Sequence, residues 1–394
     1  MTECNTLANR HASNPCDCKN EHVCEHVCER VCESEENRVH NRIGVGQTCA
    51  KVILFGEHSV VYGYSAVALP LQNLKMRATV SSANAANAEK NAANTANTSN
   101  TDAHKSQATD EPVAQIENNP NKNSLQELAQ SCVTLKALDF CGPLQSAPKR
   151  LNSIKTAIYK ALQFANWRGE GLKVETACDF PPERGLGSSA AAAGAVIRAI
   201  LDYYAIEASQ DQLFALTQEA ENVAHGKASG LDAKATASAR AVRFLGGEFS
   251  NINIRMHAWL VLADSGCKGQ TRDTVDALRK KRDLNPHAVD ALLEQLGKIA
   301  ISAQEDLKLG QPLEIGLKMS RAHKILAQLG VSTPILDELV SAACKSGALG
   351  AKLTGGGGGG CVIALAQNYD NALKVAAALE RAGAAKTWIV EIGS

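Results

Sequence analysis

Six consecutive glycines, Gly355 to Gly360, stand between Lys352-Leu353-Thr354 and the apolar run "CVIALA" of residues 361–366. Each glycine raises the entropy cost of ordering the chain, so a folded segment that keeps six in a row must be using the bare backbone. Two readings compete: a flexible linker, and a loop that lets something large and charged approach the main chain. The flanks favour the loop. A linker leads away from a core, whereas "CVIALA" reads as a buried strand and leads into one.

Three further stretches read as strands: "KVILF" and "WLVLA" as short apolar runs, and "LKVETAC" by period-two alternation. Helical periodicity covers Ser189 to Tyr204, Asp211 to Ala224 and Val289 to Leu307, with Asp211 suited to capping the second. The mixture predicts an α+β architecture. A chain of 394 residues, 45% hydrophobic, is long enough for two domains with ordinary cores. Lys plus Arg and Asp plus Glu both total 41, so no basic field argues for nucleic acid and the expected partners are small molecules. No apolar stretch near the N-terminus suits a signal peptide, and no run reaches the roughly 18 apolar residues of a membrane helix. The expected location is the cytoplasm, with no membrane contact.

Two segments are biased. Of 13 cysteines, five crowd between Cys16 and Cys32, where "EHVCEHVCERVCE" repeats every four residues. A helix would align Cys24, Cys28 and Cys32, with His22 and His26 as further metal ligands. Near-identical tetrapeptides in a charged, aromatic-free terminus read instead as low-complexity sequence, so a disordered extension is expected over residues 1–43. The Asn- and Ala-rich stretch from about 81 to 123 offers almost no large apolar residue and reads as a disordered insertion, which a domain tolerates because loop-closure cost grows slowly with length.

A second glycine loop lies in "DFPPERGLGSSAAAAGAVIRAILDYY". A strand ends, a Pro- and Gly-rich turn follows, and an alanine-rich helix opens. Gly185 and Gly187 let the backbone come close to a ligand, while Ser188 and Ser189 offer hydroxyls at the end of the helix where free amides and the dipole favour phosphate. An ordinary Ser cap after a Gly turn is the plainer alternative. A Rossmann fingerprint on Gly185, Gly187 and Ala190 lacks the expected acidic residue, and a Walker A motif fails for want of the Lys-Ser/Thr step. Charge stands in two more stretches. In "AKVILFGEHSVVYG", Lys51 begins a strand and Glu57 and His58 follow a glycine at its end. In "EAENVAHGKASGLDAKATAS", Glu221 lies near a helix end and Asp232 beyond a glycine-bearing loop that could aim it into a cleft.

Together these loops resemble the GHMP superfamily of small-molecule kinases, which includes galactokinase, homoserine kinase, mevalonate kinase and phosphomevalonate kinase. "PPERGLGSSAA" is similar to its phosphate-binding motif, and "KLTGGGGGGC" to its C-terminal glycine motif, usually written with Ala at the place of Gly356. "KVILFGEHSVVYG", "HGKASGLDA" and "DSGCKGQTRDTV" resemble the mevalonate kinase branch, particularly its bacterial type. Phosphomevalonate kinases usually lack the histidine matching His58, and galactokinases would show an Asp-Tyr pair where this chain has Ser59 to Tyr62. The branch commonly has Asn-Pro where Lys227 and Ala228 stand.

The resemblance implies a two-domain fold: an N-terminal α+β nucleotide-binding domain over 44–247 and a ferredoxin-like α+β domain over 248–394. It implies ATP-dependent phosphorylation of a primary hydroxyl with Mg²⁺. Asp232 would accept the hydroxyl proton and Lys51 would stabilise the alkoxide. Pro182, Arg184, Gly185, Leu186, Gly187, Ser188, Ser189, Ala190, Gly356 and Gly357 would hold the nucleotide, and Ser189 and Glu221 the metal. Glu57, His58 and Thr271 would meet the acceptor, mevalonate. A homodimer is the assembly implied. A catalytically silent, metabolite-sensing relative is the alternative; its mark would be loss of a catalytic charge, and Lys51, Glu221 and Asp232 are all present.

Overall fold

The computed structural model describes residues 42–83, 122–226 and 228–393. The chain divides into two compact units, Met1–Arg42 and Ile43–Ser394. The expected disordered extension, its cysteine repeat and most of the expected insertion lie outside the described residues, as does Lys227. The insertion's expected limits shift slightly, because a strand continues to Ser82 and a helix begins at Lys122.

In the unit Ile43–Ser394 the elements run β1 (Gly44–Phe55), β2 (Ala66–Ser82), α1 (Lys122–Cys132), β3 (Val133–Ala137), β4 (Phe140–Pro143), α2 (Asn152–Phe164), β5 (Leu172–Cys178), α3 (Ser188–Tyr203), α4 (Gln210–His225), α5 (Leu231–Ala237), β6 (Ala241–Leu245) and β7 (Glu248–Ile252). A second series follows: β8 (Ala258–Asp264), α6 (Thr271–Leu284), α7 (Pro286–Leu309), α8 (Pro312–Leu329), α9 (Pro334–Lys345), β9 (Gly350–Thr354), β10 (Cys361–Ala366), α10 (Tyr369–Arg381) and β11 (Lys386–Ile392). The α+β expectation holds.

The first sheet has seven strands, ordered β4-β3-β5-β2-β6-β7 with β1 on β2. The 17-residue β2 organises it: one edge pairs with β1 along most of its length, while the other pairs with β6 at its start and β5 at its end. The second sheet is four-stranded and antiparallel, in the order β11-β8-β10-β9. Numbered within this half, that is 4-1-3-2, the split βαβ arrangement of a ferredoxin-like domain, with four helices in the first crossover. A division after residue 247 would cut the β6–β7 hairpin, so the passage between sheets comes instead between Ile252 and Ala258.

Local chemistry explains these elements. Pro286, Pro312 and Pro334 each occupy the first turn of a helix, where the missing N–H costs nothing. The N-cap of α4 is Ser209, which forms a capping box with Gln212, so Asp211 sits in the first turn instead of at the cap. Helix α3 lies very close to β1. Ala190 to Ala193 are buried, and a Cβ on Gly46 would come within 1.9 Å of the Ala195 carbonyl. Small residues on both elements thus press α3 against β1, and Gly187, just before the helix, lies beside Lys51. Among the described residues no helix is long and apolar enough to cross a membrane.

Candidate active site

Lys51 lies in the middle of β1, not at its start, and only 3% of its side chain is exposed. Its backbone N–H donates to the Leu186 carbonyl at 3.0 Å and its Nζ to the Gly185 carbonyl at 3.1 Å, so β1 holds the loop from both ends of one residue. The same Nζ is 3.0 Å from Oδ1 of Asp232, which stands in the first turn of α5 with 41% of its side chain exposed. A shielded cation and an accessible carboxylate therefore meet at one point. The loop leading to Asp232 is stapled to α4: Gln218 donates to the Ala228 carbonyl at 2.7 Å, and the Ala228 N–H donates to Asn222 at 3.0 Å. A proline in place of Ala228 could not make the second bond.

Gly187, with φ +72°, is the residue before α3, and the first bond of that helix runs from the Ala191 N–H to the Gly187 carbonyl at 2.9 Å. The amides of Ser188, Ser189 and Ala190 therefore precede the helical ladder and present donors to an anion. Ser189 donates to Oε1 of Glu221 at 2.6 Å and Ser153, on α2, donates to the same oxygen at 2.9 Å. Among the described residues no group of three or more His, Cys, Asp or Glu could hold a metal ion by itself.

Beside this helix end opens a cleft of about 790 Å³. Met76, Leu138, Leu151, Ile154, Phe180 and Pro182 give it an apolar wall, and Arg184, Ser188, Ser189, Lys149, Arg150 and Lys268 line its polar side. Arg184 is not directed wholly at a ligand: its Nε donates to Asp264 at 2.8 Å and one terminal nitrogen to the Gly266 carbonyl at 3.3 Å. Arg150 pairs with Asp139, and Lys268 with Glu183 at 2.6 Å. Lys149, Arg150, Ser153 and Lys268 escaped the sequence reading. The cluster "PKRLNS" leading into α2 was the available signal for the first three.

The six glycines form the turn between β9 and β10. Five of them, Gly355 and Gly357 to Gly360, have φ between +69° and +143°, a region costly to other residues. Gly356 is constrained differently: a Cβ there would lie 2.3 Å from Oγ1 of Thr271. Its carbonyl accepts from Nε2 of His58 and from Oγ1 of Thr274, each at 2.8 Å. The turn is a packing hub. Gly355 abuts Gly185, Gly360 abuts the Arg184 carbonyl, and a Cβ on Gly357 would come within 2.1 Å of the Val331 carbonyl. Gly357 thus packs against the α8–α9 loop. Leu186 and Ala190 are buried and act as packing, too.

Glu57 and His58 follow β1 and are buried. Glu57 forms an ion pair with Lys352, which is fully buried. Burial pushes the Glu57 carboxyl up and the Lys352 amine down, each opposed by the other's charge. Burial also lowers His58, against the hydrogen bond to Gly356. His58 has φ +60°, an uncommon conformation for this residue.

Two family models match the chain: the GHMP kinases N terminal domain over residues 152–240 and the GHMP kinases C terminal over residues 303–385. A mevalonate kinase of Pyrococcus furiosus is 32% identical over 339 residues, spanning 85% of this chain and 92% of that protein. The chain belongs to the mevalonate kinase family of GHMP kinases. Pyrococcus horikoshii mevalonate kinase is 33% identical, with 85% and 91% covered. Among solved structures, the fold is shared with Leishmania major mevalonate kinase in complex with R-mevalonate: TM-score 0.67, 23% identity, 90% of this chain and 96% of that one. Both curated relatives named here are archaeal, so the expected kinship with bacterial mevalonate kinases gains no support from them. The GHMP kinase assignment implies ATP as co-substrate.

Proposed function

We propose that this mevalonate kinase transfers the γ-phosphoryl group of ATP to the primary hydroxyl of mevalonate, with Lys51 and Asp232 as its catalytic residues. The observation that carries this reading is the 3.0 Å pair itself: a buried lysine beside an accessible carboxylate, next to a loop of free helix-end amides. Phosphoryl transfer depends mainly on positioning and electrostatic stabilisation, and these groups supply both. Asp232 accepts the proton as the hydroxyl oxygen bonds to the γ-phosphorus and the bond to ADP breaks. Lys51 then lies beside the oxygen that gains negative charge. The amides of Ser188 to Ala190 and the hydroxyls of Ser188 and Ser189 face the phosphates, and the apolar wall of the cleft suits the base.

Glu221 with Ser189 makes an all-oxygen donor set with one carboxylate, the kind Mg²⁺ uses together with substrate phosphates and water. These residues fit Mg²⁺, which when bound would neutralise phosphate charge. His58 and Thr271 meet at Gly356, and Glu57 pairs with Lys352 beside His58; in this reading the three recognise the acceptor's carboxylate and hydroxyl groups. Action in the cytoplasm as a homodimer belongs to the same proposal, and light scattering of the purified protein tests the assembly.

The substrate assignment is tested by ADP release with ATP, Mg²⁺ and, separately, mevalonate, phosphomevalonate, galactose and homoserine. Preferential turnover of mevalonate is expected. Equal or better turnover of galactose or phosphomevalonate would overturn it.

A further inference from the structure

Lys352 of β9 and Glu57, which follows β1, are 295 residues apart in sequence and are 0% and 1% exposed. Removing two charges from water is costly, and a well-packed apolar pair often serves stability as well or better. Stability alone is therefore a poor reason for the pair. Three observations give it another one. Glu57 meets Lys352 through Oε1, while its Oε2 is buried without a hydrogen-bond partner, an acceptor that a hydroxyl donor could satisfy. Next to it, His58 holds its φ of +60° with Nε2 on the Gly356 carbonyl, in the turn that starts just beyond Lys352. Thr354, two residues after Lys352, exchanges hydrogen bonds with the Ile53 N–H and carbonyl at 3.0 Å each, tying β9 to β1.

We propose that Lys352 is a positioning residue for the acceptor: it holds Glu57, and with it the His58 turn, in the register that leaves Glu57 Oε2 for a hydroxyl of the substrate. This rests on the reading of Glu57 and His58 as acceptor-binding residues. Lys352 itself is enclosed and acts through Glu57; its Nζ also donates to the Leu353 carbonyl at 2.7 Å. The charged and titratable groups around the pair are Lys51 of β1, His58, and His323 of α8. His323 accepts from the Leu353 N–H at 3.4 Å and lies 3.1 Å from Asp337 of α9.

The test compares Lys352→Met with the double variant Glu57→Gln/Lys352→Met. In Lys352→Met the buried carboxyl loses its counter-charge and takes a proton. The KM for mevalonate is expected to rise tenfold or more at pH 7, with the KM for ATP within threefold of wild type. The defect, taken as the ratio to wild type at each pH, should shrink between pH 6.5 and 9 as Glu57 ionises. Over the same range Tm should fall, because a carboxyl whose folded pKa is raised loses its stability contribution as pH rises through that pKa. The double variant has no unpaired buried charge, so it folds even where Lys352→Met does not, and its raised KM should be independent of pH. A double variant with wild-type KM for mevalonate would overturn the proposal. So would a Lys352→Met variant whose KM is unchanged, or whose defect falls equally on ATP and ignores pH. Should the wild type prefer another alcohol, the same comparison with that alcohol separates failure of this proposal from failure of the mevalonate reading.

Discussion

Replacing Gly187 by alanine should damage catalysis through Lys51 more than it damages the fold. Gly187 has φ +72° and ψ +26°, where an L side chain costs about 1–2 kcal/mol. That alone lowers Tm by a few degrees. The added Cβ would also lie 2.9 Å from both Cγ and Cε of Lys51 and 3.1 Å from Cγ2 of Thr236. Ordinary carbon contacts are about 3.5–4.0 Å, so the lysine must retreat by at least about 0.6 Å. Its Nζ bonds at 3.0 Å to Asp232 and 3.1 Å to Gly185 cannot both survive that shift. Misplacing a reacting group by about 1 Å costs on the order of a hundredfold in rate. We therefore expect kcat to fall about ten- to a hundredfold. The control is Gly246→Ala, at φ +61° in the β6–β7 turn, where an added Cβ meets nothing within 4 Å. It carries the same strain without the contact, so its Tm should fall and its kcat should not. Thermal melts and steady-state kinetics on both variants decide the matter. Wild-type kcat in Gly187→Ala, or an equal loss in Gly246→Ala, would refute the reasoning.

Lys51→Met should lower kcat at least tenfold while ATP affinity, read by calorimetry, changes less than threefold, because the contribution of its charge grows as the hydroxyl loses its proton. Glu221→Gln should raise the Mg²⁺ concentration needed for half-maximal rate severalfold, and a Mg²⁺ titration that overlays wild type would contradict its role. Burial holds His58 and His323 below the ordinary imidazole range, so these two groups bind fewer protons in the folded protein than in the unfolded chain below about pH 6.5, and their contribution to stability falls as pH drops. Tm should decline from pH 7.5 to 5.5, and decline less in His323→Gln; a flat or rising wild-type profile would contradict it.

What was legible in the sequence was local. "KVILF", "LKVETAC", "WLVLA" and "CVIALA" fall within β1, β5, β8 and β10, because short apolar or alternating runs suit buried and half-buried strands. The glycine run was readable as a tight loop since five of its residues need positive φ. Partners distant in sequence were not readable. Lys352 was visible only as the residue before Leu353 and Thr354, and no local pattern announces that it meets Glu57. No local pattern shows that the fold brings Lys149 and Arg150 to the cleft. The capping of α4 by Ser209 was misread because Asp211 is also an acceptable cap and only the reciprocal bond with Gln212 separates them. The Arg184 side chain looked free for phosphate, and its pairing with Asp264 depends on the second sheet.

The most direct test of the account is the rate of phosphoryl transfer to mevalonate by Asp232→Asn in a single turnover, with ATP and Mg²⁺ saturating. Asparagine keeps the size of aspartate but cannot take up the proton, and general-base assistance is typically worth about a hundredfold to ten-thousandfold. A loss in that range, with ATP binding and circular dichroism unchanged, is the predicted result. Near wild-type transfer would contradict the assignment of Asp232 as the base beside Lys51.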